Sequence, residues 1–286
     1  MSNERSIIGL AQWLKTPPGR YLLAWEQAQL DASVADLFGF HALQLGLPEL
    51  DALQANRMPH RWLAAQACEP EHEPQADGEA TASAQAAEMQ APVTRVTRSA
   101  ILRCEFEALP FPSQSLDLVV LPHALELARD PHQTLNEVER VLVPEGRVVI
   151  VGFNPASLWG LCQRAGRMKR RLAMARDKPL FLPGGDFIGY WRMRDWLRLL
   201  SFDIERGRFG CYRPPVRTQR WLDRYSWMEP AGDRWWPVFG AVYFLVAVKR
   251  VRGMRLVGLV RSERVKPATA PAVVANRHRE RHEDRT

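Results

Sequence analysis

The sequence predicts an α/β fold built on a largely parallel sheet, and three observations predict it. The runs LDLVVL (116–121) and RVVIVGF (147–153) are almost continuously apolar and rich in β-branched residues, the pattern of strands covered on both faces. Between them DPHQTLNEVERVLV (130–143) has helical periodicity, so strand, helix and strand alternate as a parallel crossover requires. Finally, a chain of 286 residues with 46% hydrophobic and 25% charged residues has the length and balance of a globular protein with a sizeable core.

Taken in order, TPPGRYLLAWEQAQLDASVADLFG (16–39) reads as an amphipathic helix. Thr16 stands at its cap, Pro17 and Pro18 suit a first turn and Gly39 suits the end, while Leu22, Leu23, Trp25, Leu30, Val34 and Leu37 approximate one apolar face. HALQLGL and RWLAAQA follow as short strands, then SAILRCEFEALPFP and LDLVVL as two more. The next helix opens at Asp130 with Pro131 just inside, carries Leu135, Val138 and Val141–Leu142 on one face, and stops before Pro144–Gly146. After the RVVIVGF strand come a basic helix (SLWGLCQRAGRMKRRLAMA), a second amphipathic one (RMRDWLRLLSF), and the candidate strands FDIERGRFGCY and GAVYFLVAVKRV. The linker between those strands holds four of the chain's ten tryptophans, a concentration expected of core or lid.

Residues about 69–94 are Ala/Glu/Gln/Pro-rich and lack aromatics, so they are read as a disordered insertion. Residues 256–286 form a basic, Pro/Ala-rich then Arg/His/Glu-rich tail, also read as disordered. From Lys249 onward eleven Lys/Arg face four Asp/Glu, which accounts for the whole net charge of +7. The division is therefore an N-terminal helical segment (1–39), a main domain (40–255) with the insertion, and the tail. Cys68, Cys104, Cys162 and Cys211 form no CxxC pair, so single buried thiols in a reducing cytoplasm are expected rather than zinc or disulfides. The longest apolar window, 235–248, is shorter than the roughly 20 residues a spanning helix needs.

The block EALPFPSQSLDLVVLPHALELARDPHQTLNEVERVLVPEGRVVIVGFNP (107–155) resembles the type-11 group of class I S-adenosylmethionine-dependent methyltransferases. Leu109–Pro110–Phe111, Leu116–Asp117–Leu118–Val119, Asp130–Pro131, Leu135, Glu137 and Arg140–Val141–Leu142–Val143–Pro144 match that family's pattern, and Glu105 stands at its acidic position after the third strand. The resemblance implies a Rossmann-like seven-stranded class I methyltransferase sheet, mostly parallel, with a late antiparallel strand near 241–250. It implies S-adenosyl-L-methionine as cofactor, with Glu105 and Phe106 bordering the adenine and the Glu105 carboxylate accepting from the exocyclic amine. Leu121, Pro122 and His123 would line the pocket after the fourth strand, and Gly46 and Leu47 its methionine end. His123 is the titratable base available near neutrality. The loop after the first strand departs from the pattern: Gln44 replaces the acid, Gly46 is kept, and Pro48 and Leu50 replace two glycines. Gln44 there offers the cofactor a hydrogen bond without charge.

Plain structural roles stand beside these. Glu105 between Arg103 and Glu107 suits a solvated strand end, and His123 suits a cap for the following helix. Two functional readings follow. One is a methyltransferase acting on a small-molecule or lipid-like acceptor. The other is an inactive methyltransferase-fold binding module whose basic tail contacts nucleic acid or an acidic surface.

Overall fold

The structure is a computed structural model, which describes residues 10, 12–66, 101–173, 187–216 and 218–250. The expected disordered insertion and basic tail lie outside the described residues. Seven strands, β1 (His41–Leu45), β2 (His60–Gln66), β3 (Ile101–Cys104), β4 (Leu116–Pro122), β5 (Leu142–Phe153), β6 (Phe202–Gly210) and β7 (Val242–Lys249), form one sheet in the order β3-β2-β1-β4-β5-β7-β6. The first five run parallel, and β7 pairs antiparallel with both β5 and β6. Strand direction and position agree with the sequence-based expectation, down to the buried, apolar β4 and β7.

Helix α1 (Pro17–Val34) precedes the sheet. Helices α2 (Ala124–Leu127) and α3 (Pro131–Val141) connect β4 to β5, α4 (Leu158–Ala173) and α5 (Tyr190–Leu199) lie between β5 and β6, and α6 (Gln219–Arg224) and α7 (Met228–Trp235) lie between β6 and β7. The cap expected at Asp130 is made: its carboxylate accepts from His132 N and Gln133 N. The matched motif has a mechanical basis here. Arg140 donates to the carbonyls of Leu109 and Phe111 and pairs with Glu137 at 2.8 Å, while Glu137 accepts from Leu109 N. The Leu-Pro-Phe turn and the Glu-x-x-Arg of α3 are thus one interlock, which explains their joint appearance in the sequence.

Alternate strand residues feed two cores. Leu43, Val119, Leu121, Val148 and Ile150 pack against α3 on one face; Ala42, Leu118, Val120, Val149 and Val151 pack against α1 on the other. The crossover from β1 to β2 is unusual. Residues 46–59 contain turns but no helix, although parallel strands are usually joined through one. Leu47, Leu50, Leu53 and Met58 instead turn inward and meet Leu22, Leu30 and Val34 of α1. The N-terminal helix therefore covers the sheet face that a crossover helix would cover. It ends at Val34, several residues before the Gly39 expected from sequence.

Candidate active site at the carboxyl ends of the parallel strands

In open α/β sheets a ligand sits outside the carboxyl ends of the strands where the strand order reverses. Here that point is between β1 and β4, and three loops meet there. Gly46, at φ 76°, is the turn out of β1. A Cβ added to it would lie 3.6 Å from Ala124 Cβ and from the Phe106 ring, so the loops after β1, β3 and β4 touch at this glycine.

Gln44 is almost fully buried and all its capacity is used inside the loop. Its Nε2 donates toward the carbonyls of Gly46 (3.2 Å), Leu47 (3.1 Å) and Leu50 (2.7 Å), and its Oε1 accepts from Ala52 N (2.9 Å). The cofactor contact expected of Gln44 is therefore replaced by a structural one. A carboxylate, the residue type this position resembles in the family, would place negative oxygen against three carbonyl oxygens. The amide and the altered loop fit each other. Leu47 holds a left-handed φ of 44° and, like Leu50, buries its side chain in the α1 core rather than toward a ligand.

His123 follows β4 at the strand–helix turn, also left-handed at φ 54°, a conformation a non-glycine residue holds only when its surroundings fix it. They do. Its Nε2 lies 2.8 Å from Glu26 Oε1 of α1 and its Nδ1 lies 3.0 Å from Glu126 Oε2, with all three side chains buried. The ring stacks on Phe153 at 4.2 Å, and Glu126 also accepts from Phe153 N. Burial by itself lowers the imidazole pKa, but the Glu26 and Glu126 carboxylates outweigh it and raise it to about 10. His123 is thus an imidazolium at neutral pH, and both nitrogens donate. The sequence-based assignment of His123 as general base is corrected on that ground: a cation with no free lone pair takes no proton.

The remaining expected residues divide. Phe106 is buried beside Gly46. Glu105, just past β3, is exposed. Leu121 is packed in the core on the α3 face, and Pro122 is buried at the end of β4. Two residues not singled out in the sequence matter more. Glu26 Oε2 and Gln66 Oε1, the latter at the carboxyl end of β2, are buried oxygens without a hydrogen-bond partner among the described residues. They stand on either side of the end of β1, Glu26 through its contact with His123 and Gln66 on the neighbouring strand. Buried acceptors of this kind are nearly always satisfied. Glu26 had a sequence signal: it occupies the α1 stripe Leu22–Glu26–Leu30–Val34, an acid at a core position.

This strand order, with polar groups converging on its reversal point, defines the class I methyltransferase fold. Residues 59–150 match the family described as a methyltransferase domain, a likeness that implies S-adenosyl-L-methionine as the cofactor. It is 27% identical over 93% of its length to the uncharacterized protein YafS of Escherichia coli (strain K12), covering 91% of that protein. A shorter stretch, 17% of this chain, is 44% identical to the ubiquinone/menaquinone biosynthesis C-methyltransferase of Hahella chejuensis, of which it covers 19%. The fold also matches a chain of the solved complex between the Haloferax volcanii Trm112 methyltransferase activator and a methyltransferase, at 16% identity and a TM-score of 0.51, over 87% of this chain and 99% of that one. The polar atoms at the end of β1 fit such a cofactor. Gln66 and Glu26 offer unsatisfied acceptors, and S-adenosylmethionine carries hydroxyl, amine and ammonium donors.

Proposed function

We propose that this chain is an S-adenosylmethionine-dependent methyltransferase acting on a small-molecule or lipid-like acceptor. The observation that carries the reading is the pair of unsatisfied buried oxygens, Gln66 Oε1 and Glu26 Oε2, on either side of the end of β1. When bound, the cofactor supplies an electrophilic methyl group on a sulfonium. The protein's part is then to place donor and acceptor and to keep water out.

In this reading Gln66 Oε1 accepts a hydrogen bond from a ribose hydroxyl of the donor, Glu105 accepts from the adenine amine at the rim, and Phe106 borders the ring. Glu26 Oε2 receives an N–H or O–H of the bound ligand. Glu126 and His123 act as positioning residues, fixing the rotamer of Glu26 through a charge-assisted hydrogen bond. The family's glycine-rich contact is reduced to Gly46, because Gln44 already occupies the carbonyls of the rest of the loop.

Isothermal titration of S-adenosylmethionine and S-adenosylhomocysteine into wild type, Gln66→Leu and Glu105→Ala tests this. Losing a neutral hydrogen bond of about 0.5–1.5 kcal/mol at Gln66 weakens binding up to roughly tenfold. The exposed Glu105 gives a smaller loss. Absence of binding to the wild type, or no change in Gln66→Leu, refutes the reading.

A further inference from the structure

The segment between β6 and β7 is built inside out. Trp221, Trp227, Trp235 and Trp236 are 50, 60, 69 and 50% exposed, and Phe239 after them is 57% exposed. The core role expected from sequence therefore does not hold for these rings. Leu222 is the segment's buried apolar anchor, while one acid and several backbone carbonyls are held inward. Glu229 of α7 accepts from Cys211 N at 3.0 Å, from Tyr212 N and from the Tyr21 hydroxyl of α1. Tyr212 Oη donates to Pro237 O at 2.8 Å, and Asn154 Nδ2 donates to Val238 O and Gly240 O. A free helix would turn its carboxylate to water and its indoles to the core. Here hydrogen bonds to α1 and to the turns that follow β5 and β6 hold the opposite arrangement.

Cations are set among the exposed rings. Arg220, Arg224 and Arg234 are exposed, and the Arg224 guanidinium lies 5.7 Å over the Trp221 ring. Of the exposed acids nearby, Asp233 faces Arg208 and Asp223 accepts from Gln219. Helix α4 adjoins this surface: Trp159 Nε1 donates to Arg213 O at 2.7 Å, and Arg213 donates to the carbonyl of Leu222 in α6. The α4 sequence has five Lys/Arg and no Asp/Glu, yet Leu158, Leu161 and Met168 are exposed at helical spacing on one side of it.

Exposed indoles interleaved with guanidinium groups, next to a cationic helix with an outward apolar stripe, match the chemistry of a lipid headgroup boundary. Tryptophan places an apolar ring and a polar N–H there together, and arginine pairs with phosphate. We propose that α4, α6 and α7 form a docking surface for an anionic lipid bilayer. The single sign of charge on α4 favours anionic headgroups over a protein partner, whose surface would need matching acids. The surface is also placed for use. Gly210 and Phe153 both pair with Val242, so the segment springs from the same edge of the sheet as the carboxyl ends of β4 and β5. Docking there would bring the candidate active site to the bilayer, where a lipid-like acceptor resides. The docking itself does not depend on donor binding.

The test uses the full chain with phosphatidylcholine vesicles and with mixed phosphatidylcholine/phosphatidylglycerol vesicles. Cosedimentation with the mixed vesicles alone is expected. It should weaken with salt, with a blue shift of tryptophan emission and quenching by lipids brominated near the headgroup. Trp235→Ser/Trp236→Ser should lower the partition coefficient at least about tenfold, a loss of apolar burial at the interface; Arg220→Glu/Arg224→Glu should also lower it. Circular dichroism checks that both variants fold, and Trp227→Ser provides a third probe. Equal partition into both vesicle types, partition into neither, or binding without quenching overturns the proposal. So does a dimer in light scattering that Trp235→Ser/Trp236→Ser dissolves, because a second copy would then cover the surface.

Discussion

Replacing Gln44 by Glu restores the residue type that the family resemblance leads one to expect, and it should harm this protein. Nε2 of Gln44 lies 2.7–3.2 Å from three carbonyl oxygens, and the side chain is 3% exposed. The exchange keeps the bond from Ala52 N but turns the donor into an oxygen. Leaving buried acceptors without a donor costs about 1–3 kcal/mol, and an ionised oxygen facing carbonyl dipoles adds to it, so a loss of roughly 3 kcal/mol is expected near neutral pH. The carboxyl can relieve part of this by keeping its proton, which supplies one O–H where the amide supplied two N–H. Its folded pKa is then raised above the unfolded value of about 4.3. The defect should be smallest below that value and should grow with pH until the folded pKa is reached. Urea denaturation of wild type and Gln44→Glu at several pH values between about 4 and 8 measures it. Equal stability near pH 8 would refute the claim that the amide and the loop are matched.

Other outcomes follow from the same site. His123→Ala removes the cation between two buried carboxylates and should cost about 3–5 kcal/mol, read by chemical denaturation. Because the folded pKa of His123 is raised from 6.5 to about 10, its contribution is complete below pH 6.5 and is lost as pH rises to about 10; a wild-type stability flat across that window would contradict the pairing. Glu126, its own pKa raised by burial despite His123, takes back part of that contribution. Leu50→Gly, which restores a family glycine, should lose about 2–5 kcal/mol through an emptied core position, whereas the exposed Pro48→Gly should lose only about 1 kcal/mol, through added backbone freedom in the unfolded chain.

The sheet was legible because its signals are local. β4 and β5 are apolar runs, α3 carries its own cap at Asp130, and the Leu-Pro-Phe turn and Glu-x-x-Arg are recognisable as spaced residues before their hydrogen bonds are known. The site was less legible because its partners are distant in sequence. His123 meets Glu26 across 97 residues, and no periodicity links them. An imidazole read alone looks like a base; clamped by two carboxylates it is a cation. The tryptophans misled for a similar reason. Composition says that indoles prefer burial, but Glu229, Tyr212 and Asn154 tie the backbone and the acid inward and leave the rings outside.

The departures around β1 form one change rather than several. With no helix between β1 and β2, the crossover cannot present a helix N-terminus to a ligand, and its turns need internal hydrogen bonds to hold their carbonyls. Gln44 supplies these, which requires an amide rather than an acid. The exposed sheet face then needs a cover, and α1 provides it by packing Leu22, Leu30 and Val34 on Leu47, Leu50 and Leu53. The same packing carries Glu26 to the end of β4, where His123 orients it. A carboxylate thus reaches the end of β4 from a helix that precedes β1, while the end of β1 itself carries the neutral Gln44. A double-mutant cycle separates this from coincidence. If Glu26 and His123 act as one unit, Glu26→Gln and His123→Gln together should destabilise the protein by clearly less than the sum of the single effects, with a coupling of about 1–3 kcal/mol. Additive losses would mean that the two residues only share a neighbourhood.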